Sequence, residues 1–363
     1  MPNGSGLLTG GANYSQDLFT VQKRNDEKSY YVFQMGGINP LGYTDGLMYS
    51  IVDMRLHSGL GDIVPGQKNI HVLAAHDASG ALTGTRHHNN KDAWIITRRL
   101  SYTSQRYACF LVSFSGLDTV PVYSNSLLHI VPNLSPGNGI EYLKVSPDGT
   151  KLICVCDTSF EYCTFDSQTG KITPLFVGTL IKVNNMNGEN ETPEFSLKSK
   201  YLYLSCQRTN GEHVLYQFDA TKTDSASFFA SRVQLESDFP YFIALQRAVD
   251  NKIYVAPVFL DSLSVIEYPD NPGASCQYTR DVLSLQGRTC IYNLPQFLQK
   301  YKAYIQYFHP CQNDRIPFSG DIWPPADTTR WNFGDPASGV DNVSYLPDPV
   351  HIYSLPGTYT VEL

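Results

Sequence analysis

Residues 146–174, SPDGTKLICVCDTSFEYCTFDSQTGKITP, carry the pattern that the rest of the chain repeats. An inner strand at 142–145 runs into the turn Pro147-Asp148-Gly149. A second strand follows at 151–156, with Leu152, Cys154 and Cys156 on one face. Residues 160–165 predict a third strand, and the turn at 166–170 leads into a fourth at 171–176. Alternating apolar positions separated by Asp, Asn and Gly turns are the signature of short antiparallel strands. Four such strands, recurring along a chain, predict an all-β fold built from the blades of a β-propeller.

The same grammar is legible elsewhere. A first blade is predicted at 18–22, 29–34, 48–55 and 69–73, and a second at 82–87, 93–98, 107–114 and 120–123. A fourth runs 192–196, 201–206, 214–218 and 228–234; a fifth runs 242–246, 252–256, 263–268 and 282–285. The second strands align best, as YYVFQ, AWIIT, LICVC, YLYLS and KIYVA. Residues 293–301 break the pattern and predict a connector. Beyond it, short strands at 316–319, 329–333, 351–353 and 358–363 sit among Pro, Gly and Asp, as in a small β-sandwich. The expected division is therefore 1–303 for the propeller and 304–363 for the sandwich.

Composition narrows the function classes. Of 363 residues, 27 are Lys or Arg and 34 are Asp or Glu, so the net charge of −7 argues against a nucleic-acid partner. No apolar run approaches the ~20 residues that span a bilayer, so direct membrane insertion is not expected. Tyrosine is abundant, with 24 copies against 3 Trp, and suits both half-buried strands and binding surfaces. The cysteines form no CxxC pair, so metal spacing is absent and Cys154, Cys156 and Cys163 are expected as buried small hydrophobes. Cys276 and Cys290 could close a loop disulfide in an oxidising compartment.

The tail WNFGDPASGVDNVSYLPDPVHIYSLPGTYTVEL resembles a PKD domain, an immunoglobulin-like β-sandwich. The motifs are Trp331-x-Phe333-Gly334-Asp335, then His351-x-Tyr353, then Pro356-Gly357-Thr358-Tyr359-Thr360-Val361. Pro-Gly makes the turn, and Tyr359 and Val361 alternate onto one face. In the body, YSIVDMRLHSGLGD, LTGTRHHNNKDAWII, LYQFD, KIYVA, LSVIEYPDNPGASC and NLPQFLQKY occur in an order that resembles the propeller-plus-PKD surface proteins of Bacteroidota. Those often end in a gliding-motility-associated sorting domain for type IX secretion. The resemblance implies an extracellular or cell-surface location. It also implies a signal peptide and a further blade before residue 1, and more chain after residue 363. The chain is expected to be an internal piece, whose full ring has six or seven blades, about five of them readable here. The gap should lie between the blade containing 281–287 and the blade 18–73, exposed or filled by the missing N-terminal part or another chain. Residues 303–308 are the best remaining strand material near the propeller's end.

Candidate chemistry is sparse. His87 and His88 are adjacent on a strand and point to opposite faces, which makes them poor co-ligands. Asp335, with Asp321 and Asp327 nearby, offers hard oxygens for Ca²⁺, but the spacing matches no calcium loop; turn roles are expected, and no cofactor. Residues 146–150 begin like an Asp box but lack its later Gly and Trp. Glu141, Glu194 and Asp53 are the carboxylates a glycosidase would have to bring together. There is no GxSxG, HExxH or P-loop. The function expected is that of a secreted or cell-surface, non-catalytic adhesion protein. Its propeller loops would meet a glycan or protein through Arg86, His87, His88, Trp94 and Arg288, with the PKD domain as spacer. A glycan-acting hydrolase and a structural part of a surface or gliding assembly are the alternatives.

Overall fold

The structure, a computed structural model, describes residues 2–4, 18–36, 46–74, 78–100, 105–128, 141–156, 159–179, 192–207, 212–239, 243–290, 294, 296–298, 302–307, 315–323, 326 and 328–363. The chain divides into two compact units, Met1–Gln299 and Lys300–Leu363. Among the described residues no helix is long and apolar enough to cross a membrane.

The first unit is all-β and propeller-like. Among the described residues it contains five antiparallel sheets, each made from consecutive segments of chain. The innermost strands are Leu18–Lys23, Leu82–Arg86, Glu141–Val145, Pro193–Phe195 and Ile243–Arg247, and each lies against the next. Sheets three and four are simple four-stranded meanders; the third runs Glu141–Val145, Lys151–Cys156, Ser159–Asp166 and Lys171–Thr179. In the first sheet, Asp62–Ile63 and Ile70–His71 share the outer edge of Leu47–Asp53.

Stacking explains the sequence pattern. A strand buried on both faces reads as a continuous apolar run, because alternate side chains enter different cores. In Lys151–Cys156, Leu152, Cys154 and Cys156 pack toward the second sheet with Trp94, Ile96 and Tyr107. Ile153 and Val155 pack toward the fourth with Phe195, Leu202 and Phe218. Two similar cores join the first sheet to the second and the fourth to the fifth. After the fifth sheet the chain turns back. Leu294 packs on that sheet, Gln296 exchanges hydrogen bonds with Leu82 and Thr83 of the second sheet's inner strand, and Leu298 joins the core between sheets one and two.

Three expectations need correction. Phe228 does not start a strand; it lies in a helix, Ser225–Ala230, capped by Asp224, and the strand begins at Val233. The Asp224 carboxylate accepts from Ser227 N, satisfying a free helix N–H. Phe228 stacks on Phe218 with ring centroids 4.7 Å apart, so burial outweighs the local strand preference. Cys276 and Cys290 are both free thiols. They serve cores on opposite faces of the fifth sheet, so no disulfide can join them. Lys302–Tyr307, which overlaps the strand material expected near the propeller's end, pairs with Ile316–Trp323 and belongs to the second unit.

Among the described residues, the second unit has two small layers. One contains Lys302–Tyr307, Ile316–Trp323 and Val350–His351; the other pairs Trp331–Asn332 with Val343–Ser344. The end of the chain joins the second layer through reciprocal bonds between Asn332 and Glu362. Trp331 and Phe333 pack between the layers with Ile316 and Phe318. A Cβ on Gly334 (φ 68°) would lie 2.4 Å from Thr360 O, so the close approach of this final segment requires glycine.

Candidate functional site

The five residues expected to meet a ligand do not form one site. Arg86 ends the second sheet's inner strand, and its guanidinium donates to Asn90 O. His87 follows, and its ring is 3.0 Å from Gln168 O in a turn of the third sheet. The His88 N–H and the Trp94 indole N–H both donate to Ser167 O in that turn. Trp94 is buried, and a Cβ on Gly170 (φ 74°) would lie 2.7 Å from its ring. This group is a clamp between neighbouring sheets, with the exposed His88 and Asn89 on its rim. Arg288 is exposed in the turn after the fifth sheet's last strand, Tyr278–Ser284. We expect His87→Ala to cost about 1 kcal/mol, the net value of one hydrogen bond. Urea unfolding should register that loss while ligand retention stays unchanged.

Of the named carboxylates, Asp53 and Glu194 lie on different sheets. Asp53 binds Arg55 at the end of the first sheet. Glu194 lies on the fourth sheet's inner strand, almost fully buried, 2.8 Å from Lys144 Nζ on the third sheet's inner strand. Lys144 also donates to Gln246 Oε1 on the fifth, and Glu194 accepts from Arg247 N. One carboxylate thus ties three inner strands together and is already neutralised, which suits cohesion and not proton transfer. Sequence reasoning missed this cluster, although its signal was present: EYLKV, TPEF and IALQR each place a polar or charged residue inside an apolar inner strand. The Glu141 side chain lies outside the described residues.

A second buried network lies between sheets two and three. Glu161 is fully buried and accepts from Tyr107 OH (2.5 Å), Ser126 OH (2.7 Å) and Leu127 N (2.6 Å). Arg98, also fully buried, donates to Gln105 Oε1, Ser126 Oγ and Leu128 O. Burial, with the nearby thiols and Glu161, pushes the Tyr107 phenol well above its usual range, so it stays a proton donor. Burial likewise pushes up the Cys163 and Cys109 thiols, which keeps them inert.

An open groove of the first unit lies on the fifth sheet. Ile253 and Val255 face the fourth sheet; Tyr254 and its register partner Val265 point the other way. That outward face carries a groove of about 460 Å³. Lys252 and Glu267 form an ion pair across one end at 2.5 Å. Glu267 raises the Lys252 ammonium above its usual range. Tyr254 OH donates to Asp250 at 2.9 Å, and burial together with this bond raises its pKa. Tyr268 is 51% exposed beside them, and Gln277 and Thr279 add polar groups. The register slips between Leu263 and Val265, and Asp281 takes φ 54°. A bulge of this kind re-aims side chains, and here Val282 and Leu283 are both 48% exposed at the groove wall. Aromatic faces flanked by a few fixed polar groups are the make-up of a small-molecule or sugar site.

In the second unit, the motif residues build an anchor. The Asp335 carboxylate accepts from Ser354 N (2.9 Å) and Ser354 OH (2.7 Å) and lies 3.4 Å from His351 Nε2. The Ser354 bonds hold the Asp335 carboxyl below its usual range despite burial. Tyr359 stacks on Tyr353 at 4.1 Å and donates to Leu355 O, and Gly357 lies against the Tyr359 ring. Among the described residues no group of three or more His, Cys, Asp or Glu side chains is arranged to hold a metal ion. Asp327 and the Asp321 side chain lie outside the described residues.

No family model matches the chain, and no curated protein does. Among solved structures, the periplasmic gluconolactonase of Pseudomonas aeruginosa is 12% identical, over 75% of this chain and 86% of that one, with a TM-score of 0.39. The SapL1 lectin in complex with alpha methyl fucoside is 10% identical, over 88% of this chain and 100% of that one, at 0.40. AofleA from Arthrobotrys oligospora is 12% identical, over 96% and 89%, at 0.43. Identities and scores this low carry no ligand or activity over to this chain.

Proposed function

We propose that the protein is a non-catalytic binding protein of the cell exterior, and that its first unit takes a glycan on the outward face of the fifth sheet. The observation that carries this is the groove itself. Tyr254 and Tyr268 offer aromatic faces to a sugar ring, while Lys252, Glu267, Gln277 and Thr279 offer donors and acceptors to its hydroxyls. The buried carboxylates Glu161 and Glu194 are each committed to internal partners. In this reading no further blade stacks on that face of the propeller-like first unit. The second is a PKD-like spacer, supported by Trp331-x-Phe333-Gly334-Asp335 and Pro356-Gly357-Thr358-Tyr359. Export by the type IX route rests on the sequence resemblance alone.

A glycan array and pull-downs with bacterial surface polysaccharide test the proposal. The full chain should be retained, and Tyr268→Ala should weaken retention by about ten-fold, or ~1.4 kcal/mol, with an unchanged circular dichroism spectrum. Retention on no glycan would sink it, and turnover of the retained sugar would replace it with a hydrolase.

A second reading has its own support. Sheets two, three and four are covered on both faces, whereas the fifth leaves Val282 and Leu283 exposed. A further blade, from the same protein or another chain, would cover them. That reading requires a co-purifying polypeptide whose removal exposes the groove.

A further inference from the structure

The sugar site proposed above is the premise here: the charges of the fifth-sheet groove decide which glycans it takes. Of the residues lining the groove, Lys252 and Glu267 carry charge, and they are paired with each other at 2.5 Å. Their side chains are 34% and 32% exposed, so an incoming ligand can reach the pair. Asp250 brings a second carboxylate to the same end, fixed by the N–H of Lys252 and by Tyr254 OH. On the last strand, Asp281 lies between the lining residues Thr279 and Val282 and accepts from Ser262 OH. The neighbouring cation, Arg280, is turned toward the fourth sheet. It donates to Glu236 and Ser237 O, with its guanidinium against the Phe239 ring. Arg288 is not among the lining residues.

Glycans fall into classes by charge, and this arrangement treats the classes differently. A uronate, sialate or sulfate group is recognised by an ammonium or guanidinium whose charge is not already answered. Here an anion would have to share Lys252 with Glu267, at a site where the carboxylates outnumber the ammonium. Like charges at such separations repel. Neutral hydroxyls meet no such conflict. They donate to the remaining lone pairs of Glu267 and accept from the remaining N–H groups of Lys252, which an ion pair leaves available. Gln277 and Thr279 add uncharged donors and acceptors, and Tyr268 offers its exposed ring to the apolar face of a sugar. Glu267 also raises the Lys252 ammonium above its usual range, so the pair stays ionised at neutral pH.

We infer that the groove selects neutral glycans over carboxylated and sulfated ones, and that Glu267 sets this preference by holding Lys252.

An array carrying the same oligosaccharide backbones in neutral, uronate-bearing and sulfated forms tests this on the full chain. The tightest retention should fall among the neutral forms, at least about ten-fold tighter than their charged counterparts. Raising NaCl from about 50 to 500 mM should change that retention less than two-fold, because no charge on the ligand is being screened. Glu267→Gln releases Lys252 and should shift the ratio of uronate to neutral binding about ten-fold toward the uronate, with an unchanged circular dichroism spectrum. Charged forms retained as tightly as neutral ones, salt-sensitive retention, or a ratio that Glu267→Gln leaves in place would overturn the selectivity while the sugar site stands. Retention of none of the three classes by either protein would remove the sugar site, and the selectivity with it.

Discussion

Replacing Glu161 with alanine should destabilise the first unit by about 3–5 kcal/mol, the cost of breaking a buried charged network by removing one member. The change strands Tyr107 OH, Ser126 OH and Leu127 N, all of which now donate to that carboxylate. It also disturbs the surroundings of the fully buried Arg98, which shares Ser126 with that carboxylate. Each stranded donor adds a desolvation cost of about 1–3 kcal/mol where water cannot reach it. The check is the midpoint of urea unfolding with an unchanged slope. The double variant Arg98→Met with Glu161→Gln should lose less than the sum of the single changes, because the two residues meet through Ser126. Additive losses would show that the network is not a unit.

Trp331→Ala should unfold the second unit and leave the first intact. Trp331 is fully buried and stacks near Phe333 and Phe318, and its indole N–H donates to Leu346 O at 3.0 Å. Loss of a buried Trp costs about 3–5 kcal/mol. A domain of this size has little more than that to lose. Limited proteolysis should then release a stable fragment ending near Gln299, where the two units divide. A single cooperative loss of both units would contradict this.

The strand order of the five sheets was legible because each sheet uses consecutive chain and most of the turns carry Gly, Asp or Asn. Leu152, Cys154 and Cys156 sharing a face followed from the two-residue period alone. The helix at Ser225–Ala230 was not legible. Its Phe228-Phe229 pair looks like strand material, and what decides the matter is a tertiary contact with Phe218 and Phe160. The clamp around Trp94 was hidden for a similar reason. His87 and Trp94 find their partners at Ser167 and Gln168, some 70 to 80 residues on, and no local pattern reports that pairing. The groove on the fifth sheet escaped because its chemistry is split between strand ends. Lys252 and Glu267 become neighbours only through the antiparallel register that pairs Ile253 with Ile266. In the second unit, by contrast, Trp331, Phe333 and Asp335 were found by motif, and Asp335 proved to anchor Ser354.

The outward face of the fifth sheet as the ligand site is tested most directly by hydroxyl-radical footprinting of the full chain, with and without its best-retained oligosaccharide. Tyr268 and Leu283 should react readily in the free protein and become protected together with Tyr254 when the sugar is present. Protection confined to His88 and Asn89, or no change at Tyr254, Tyr268 and Leu283 with the sugar bound, would place the ligand elsewhere.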